Sequence, residues 1–505
     1  MGAVQGTVSN AVSGSPLGRA KVAIRGTAQE TLTDDDGRFY LRGAPAKDIE
    51  LEVSYLGFGS QTSRVTVPPG GQVAQDFQLS RQGTDRRGAE GQTIVLEQFQ
   101  VVAEQTMSGQ AVAMNEQRHA ANIKNVVSFD ELGDRGQENI GDYVRFLPGV
   151  TILDDGTNPG RIALGGFPAE MSNIQIDGMD VPATGIGATS SRTAALQDVP
   201  ILNIERVEVS KVPTPDLPAA GLGGSMNLIA KTGVGLKRPV GRYQVYMNFD
   251  NVDGLNFNGG SQQPHDRASP RYKEPSFSLS YAFPVGKTLS VSLGASRSWR
   301  QRPTEDTPSE VALWNLKKTY LATGAPKDLA LAITQWRQEA SISRTENLQL
   351  GLDWRLTTHD TLSLQVQERS VVEKKAQSFM TARVNAGYDA IGNADYTQSR
   401  GATGSFEMGT LNPSNFDATT DTSMRSLKYQ HRGPAWNIDA QASYSAADRE
   451  RSSLGKGYFN GVLASVLAAN IRGDGIGKGA SIGPETYTIT RANGTPVDPF
   501  NANNY

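Results

Sequence analysis

Apolar and polar residues alternate along most of this chain, and the alternation has more than one texture. Over residues 1–80 the runs are short: Val22 and Ile24; Leu51, Val53 and Tyr55; Val65 and Val67; Phe77 and Leu79. Turn signals such as Asp36-Gly37 and Pro69-Gly70-Gly71 separate them. Period-2 runs at that spacing predict a small antiparallel β-sandwich. From Gly241 onward the runs lengthen. Tyr243, Val245, Met247 and Phe249 alternate with polar residues. Phe277, Leu279, Tyr281 and Phe283 then lead across a turn at Pro284–Thr288 to Leu289, Val291, Leu293 and Ala295. A second pair joins Leu348, Leu350, Leu352, Trp354 and Leu356 to Leu362, Leu364 and Val366. A third joins Leu427 and Tyr429 to Trp436, Ile438, Ala440, Ala442 and Tyr444 across Gly433-Pro434. Strands of about ten residues with one apolar face predict the wall of a transmembrane β-barrel.

The polar stretches 250–275, 297–346, 368–425 and the one after Ala446 read as long loops, alternating with short turns as in bacterial outer-membrane barrels. A soluble β-sandwich also alternates, but loops of that length are uncommon in compact domains.

Between these regions the texture changes. Residues 81–95 are rich in Gly, Arg and Gln without periodicity and predict a linker. An apolar strip follows, Leu96, Glu97, Gln98, Phe99, Gln100, Val101, Val102 and Ala103, and then a polar stretch from Glu104 to His119. A short β-former stranded between two flexible arms suits pairing with a partner's open sheet edge; the first strand of the next domain is the other reading. Residues 120–235 predict a compact α+β domain. Ile140, Tyr143, Val144 and Leu147 fall on one helical face stopped by Pro148-Gly149, and strands are predicted over Ile174–Ile176 and Ile204–Val209.

Composition narrows the classes. The chain of 505 residues is too long for one core and predicts a mainly β protein of several domains. A net charge of −3 supplies no basic field for nucleic acid. The absence of cysteine excludes disulfides and thiolate chemistry. There is no apolar run of membrane-helix length, and Met1 is not followed by a secretory signal. About seven strands of barrel length are predicted, where plugged transporter barrels have about 22, and the last residues do not alternate. This is the pattern expected of the N-terminal part of a longer protein.

No catalytic, metal or cofactor site is predicted. Gly479-Ala480-Ser481-Ile482-Gly483 lacks the strand–turn–helix setting of a nucleophile elbow. Asp34-Asp35-Asp36-Gly37 lacks the downstream bidentate Glu of a calcium loop and reads as a tight turn. Gly221-Leu222-Gly223-Gly224 is followed by no Lys-Ser/Thr, as a phosphate cradle would require. His119, His265, His359 and His431 are far apart in sequence. Trp314 and Trp336 fall in a predicted outer loop, where an aromatic face suits a sugar or another planar ligand; plain surface or girdle tryptophans are the commoner case.

The chain resembles TonB-dependent outer-membrane receptors. The resemblance rests on Asp142-Tyr143-Val144-Arg145-Phe146-Leu147-Pro148-Gly149-Val150, Asn173-Ile174-Gln175-Ile176-Asp177-Gly178, Ile204-Glu205-Arg206-Val207-Glu208-Val209 and Gly221-Leu222-Gly223-Gly224-Ser225-Met226-Asn227. These look like the family's plug domain, in that order. Val4-Gln5-Gly6-Thr7-Val8, Thr33–Phe39 and Tyr55-Leu56-Gly57-Phe58 look like its carboxypeptidase regulatory-like domain, an accessory module without peptidase activity.

The resemblance implies a sandwich at 1–80, a linker carrying the TonB-box candidate at 81–119, a plug at 120–235 and part of a 22-stranded transmembrane barrel at 236–505. It implies import across the bacterial outer membrane, with sandwich and plug on the periplasmic side. The implied partners are a TonB energy-coupling protein at residues 96–103, outer-membrane lipid, an extracellular small-molecule or oligosaccharide ligand and a surface lipoprotein. The regulatory-like domain and the Thr214-Pro215-Asp216 version of the plug's end favour carbohydrate uptake. Ferric siderophore or cobalamin uptake is the alternative, and a glycan-binding adhesin the alternative of another class. Where many members have Ile-Arg-Gly, this chain has Leu164-Gly165-Gly166, which puts in doubt a plug–barrel ion pair from that arginine.

Overall fold

The computed structural model describes residues 1–80, most of 109–247, 275–302, 309–316, 329–384 and, apart from short gaps, 391–504. The chain is mainly β, as its alternation predicts.

Residues 1–80 form two small sheets packed face to face. In one, Gly2–Asn10 runs antiparallel to Arg38–Ala44 and parallel to Gln72–Ala74 and Phe77–Leu79. In the other, Lys21–Ile24 and Asp48–Ser54 lie between Glu30–Leu32 and Gln61–Thr66, all antiparallel. The sandwich is therefore mixed rather than purely antiparallel. Both ladders put side chains on alternate faces, so period 2 cannot tell them apart. Val4, Val8, Leu17, Val22, Leu51, Val53, Phe77 and Leu79 fill the space between the sheets. Asp34–Gly37 is the tight turn expected: Gly37 has φ +72°, and the Arg38 N–H donates to Asp34 Oδ1 at 2.8 Å.

The polar stretch before residue 120 is not all linker. A helix occupies 109–118. Ala111, Ala113, Asn115 and Glu116 are buried, and Ala111 joins the sandwich core. Because that face is small and polar, it left no apolar stripe of helical period to read.

The next unit is the compact α+β domain. Its central sheet runs in the order Met179–Asp180, Ser172–Ile176, Gly224–Ala230, Ile204–Ser210, Lys124–Ser128. A hairpin of Val150–Asp155 and Asn158–Leu164 lies apart from it. The helix covers Ile140–Val144, and the Asn139 side chain caps it by accepting from the Gly141 N–H at 2.8 Å. Gly149, with φ +80°, turns the chain away after it. Ile140, Val144, Ile162, Ile176, Leu196, Val207 and Leu228 make the core.

Among the described residues the remaining strands form a thirteen-stranded sheet. Its backbone is an antiparallel run of Val240–Tyr246, Ser276–Val285, Leu289–Arg302, Leu329–Arg355, Asp360–Arg383, Phe416–Arg432 and Asn437–Ser452. Short turns close Val285 onto Leu289, Arg355 onto Thr361 and Arg432 onto Asn437. Among the described residues the wall is open, with Val240–Tyr246 and Asn437–Ser452 each paired on one side.

The predicted loops 297–346 and 368–425 are corrected by the structure. Leu329–Arg355 and Asp360–Arg383 run on as strands, and Ser309–Leu316, Gly404–Leu411, Gly461–Asp474 and Thr486–Arg491 add to the far end of the sheet. Upper segments such as Arg337–Ser343 and Glu373–Ser378 carry polar residues at successive positions, so the period-2 contrast fades in the sequence while the backbone ladder continues. Val384, Phe406, Val466, Ile471 and Ile489 give this far end a small core of its own. Residues 250–274 lie outside the described residues.

Candidate functional site

The wall has inverted polarity. Leu279, Tyr281, Leu293, Leu348, Trp354 and Leu427 are exposed on its outer face. Ser290, Ser292, Ser296, Asn347, Gln349, Asp353, Gln367, Arg369, Thr422 and Ser426 are buried on its inner face. A soluble sandwich would bury the leucines. An apolar outside over a polar inside is what a strand needs when lipid lies on one side and a wet lumen on the other.

The α+β domain sits against that inner face. Met424 of the wall is fully buried in the domain's core. A Cβ at Gly294 would come within 2.8 Å of Leu202, so the absent side chain lets domain and wall approach. Polar contacts fix the register. Ser280 Oγ donates to Asn203 Oδ1 at 2.9 Å, Thr232 Oγ1 to Asp353 Oδ2 at 2.9 Å, and Gln441 Nε2 to the Asp177 carbonyl at 3.2 Å. Leu164-Gly165-Gly166 supplies no cation, but Arg300 of the wall lies 3.8 Å from Asp142 at the helix start. Asp177 has φ +50°, and its carboxylate accepts from the Ala230 N–H at 3.0 Å. Burial pushes its pKa up to about 6.

A line of alternating charges joins the sandwich to this domain through the 109–118 helix. Glu116 lies 3.3 Å from Arg19 and 3.2 Å from Lys124. Lys124 also pairs with Glu208 at 2.9 Å, and Glu208 with Arg206 at 2.8 Å. Burial alone would raise the Glu208 carboxyl, but Arg206 and Lys124 outweigh it and hold it low.

The strip Leu96–Ala103 lies outside the described residues. Trp314 and Trp336 stand in strands rather than in a loop. Trp314 is paired in register with Leu331, and Trp336 meets the Tyr487 ring edge-on at 5.5 Å. That contact places Trp336 against the far-end core. His359 and His431, distant in sequence, have ring centroids 6.2 Å apart at the short-turn end of the wall. His431 Nδ1 is 2.7 Å from Asp360 Oδ1. Among the described residues no three His, Asp or Glu side chains converge as a metal would need. Sequence reasoning missed the charge line altogether, because its members come from four separate segments.

Residues 3–80 match the carboxypeptidase regulatory-like domain family, and residues 116–225 match the TonB-dependent receptor plug domain family. The sandwich is thus similar to carboxypeptidase regulatory-like domains and the α+β unit to TonB-dependent receptor plug domains. A curated relative, the ferripyoverdine receptor of Pseudomonas aeruginosa, is 36% identical over 107 residues, which is 21% of this chain and 12% of that protein. Among solved structures, the ferric enterobactin receptor of Pseudomonas aeruginosa overlaps with TM-score 0.35 at 14% identity, covering 72% of this chain and 56% of that one. A siderophore receptor of Acinetobacter baumannii overlaps with TM-score 0.27 at 12% identity, covering 75% of this chain and 60% of that one. The plug match starts at Glu116, inside the helix that the linker reading had missed.

Proposed function

We propose that this receptor chain imports a ferric siderophore across the bacterial outer membrane, with the plug gating the lumen and a TonB-type protein supplying the pull. The observation that carries import is the inverted polarity of the wall with the plug seated on its polar face. Such an arrangement holds a removable stopper in a wet channel. It needs no covalent chemistry: ligand binding shifts the plug between states, and mechanical work completes the opening. The ferripyoverdine receptor relative favours a ferric siderophore over the carbohydrate that the regulatory-like domain suggested. The chain spans a small part of that relative's length, so substrate and partners are part of the proposal.

Val101→Pro tests the coupling strip, because proline removes a backbone donor that strand pairing uses. In the intact receptor, uptake of iron-loaded pyoverdine is expected to collapse while cell-surface binding persists. Unchanged uptake would sink the TonB-box assignment. Loss of surface binding as well would point to misfolding, which trypsin resistance of the plug separates from loss of coupling. Glycan binding by residues 1–80 alone, as tight as by the whole receptor, would favour an adhesin.

A further inference from the structure

The sandwich touches the plug and the wall through two separate charged clasps. The first is the line Arg19, Glu116, Lys124, Glu208 and Arg206. It is reinforced by Asn115, whose Nδ2 donates to the Arg19 carbonyl at 2.6 Å. These ions are largely out of water: the side chains of Glu116, Lys124, Glu208 and Arg206 are 8%, 13%, 12% and 13% exposed.

The second clasp is at the Asp34–Gly37 turn, which seats on the short-turn end of the wall. Arg38 Nη2 donates to Thr361 Oγ1 at 2.7 Å, and Thr361 Oγ1 donates to Asp36 Oδ2 at 3.3 Å. Arg432 Nε lies 3.4 Å from Asp34 Oδ2, and its Nη2 holds Asp439 at 2.7 Å. The His359 ring nitrogen Nδ1, 2.8 Å from the Arg432 carbonyl, backs this side. The same turn that resembles the start of a calcium loop is thus a docking element.

We propose that the sandwich is a releasable lock, which ties the plug to the rim of the wall and detaches before the plug moves. A body fastened to both parts resists any displacement of one against the other. The chemistry of the fastening suits release. Apolar faces pulled apart expose surface that water disfavours, whereas separated ions regain hydration, which offsets much of the lost attraction. Polar interfaces between domains are accordingly the ones that open. The second clasp also leaves a polar atom unmatched, since Arg38 Nη1 is buried without a hydrogen-bond partner. The helix at 109–118 adds direction. A pull that reaches the plug from the N-terminal side passes through it, and therefore loads Glu116 before it loads Lys124–Ser128, an edge strand of the plug sheet. The lock rests on the import reading for its purpose, although its contacts do not.

The chain has no cysteine, so Asp36→Cys with Thr361→Cys introduces a single thiol pair. In the intact receptor in outer-membrane vesicles, copper-phenanthroline and oxygen would oxidise the pair to a disulfide seen as a reductant-sensitive gel shift. Efficient cross-linking is expected, and failure to cross-link overturns the docked arrangement. In cells, the oxidised receptor is expected to lose pyoverdine-iron uptake by roughly tenfold or more, with surface binding kept and uptake restored by reductant. Full uptake by a fully cross-linked receptor overturns the lock.

If the reduced variant and the unmodified receptor both fail to take up iron, the import reading has failed, and a second measurement judges the lock alone. Glu116→Gln is expected to speed amide hydrogen exchange in Lys124–Ser128 by about tenfold, with little change in the sandwich core. Unchanged exchange in that strand overturns the clasp.

Discussion

Ile140, Val144, Ile176, Val207 and Leu228 fill the inside of the plug, while Ser292, Gln349, Gln367, Arg369 and Thr422 line the inside of the wall around it. Both regions are β-sheet with side chains on alternate faces, and both bury one face. They differ in what lies on the other side. The plug is a small body that buries apolar surface away from water. The wall exposes its apolar face and buries its polar groups, the polarity a strand needs between lipid and a wet lumen. The same period-2 alternation thus carries opposite inside and outside, and burial by itself does not reveal which residues drive folding.

The contrast can be broken experimentally at single positions. Leu228→Ala in the plug core should cost about 2–5 kcal/mol, read as a lower urea midpoint for plug unfolding. A cost below about 1 kcal/mol would mean the plug is not an ordinary apolar core. Leu293→Arg, on the outer face of the wall, should cost about 2–4 kcal/mol when refolding into bilayers is measured. The same change should be far milder if that face meets water, so a neutral result would remove the membrane.

Titration of Asp177 sharpens the comparison next. Its carboxyl is raised by burial from 3.8 to about 6, so the folded plug favours the neutral form. The stabilisation from this group is present below pH ~4 and is lost as pH rises through about 6, a change of about 3 kcal/mol. Asp177→Asn should flatten that pH dependence of plug unfolding while keeping the left-handed turn, which Asn tolerates. The smallest effect is expected on the lumen face. Ser292→Ala should change stability by less than about 1 kcal/mol, because the surroundings are polar and no apolar packing is lost.

Much of this architecture was legible in local patterns. The helix at Ile140–Val144, its stop at Gly149 and the plug strands at Ser172–Ile176 and Ile204–Ser210 follow from residues within one or two turns of each other. The pairings of Val285 with Leu289 and Arg432 with Asn437 likewise follow from short turns between matched apolar runs. The 109–118 helix was missed because its buried face holds Ala, Asn and Glu. The upper strands were missed because polar residues on both faces, as in Arg337–Ser343 and Glu373–Ser378, erase alternation. Trp336 looked like a free loop tryptophan, and only its pairing beside Met380 and the Tyr487 ring gave it a structural partner.

The sequence by itself determined the period of each segment, the turns between them and the absence of thiol chemistry, since these depend on neighbours along the chain. Only the tertiary structure decided which face of the wall is buried and that the plug lies against its polar side. It alone joined Arg19 to Glu116 and Asp36 to Thr361. Those contacts link segments up to 325 residues apart, and a charged residue carries no local mark of the partner it will meet across such a distance.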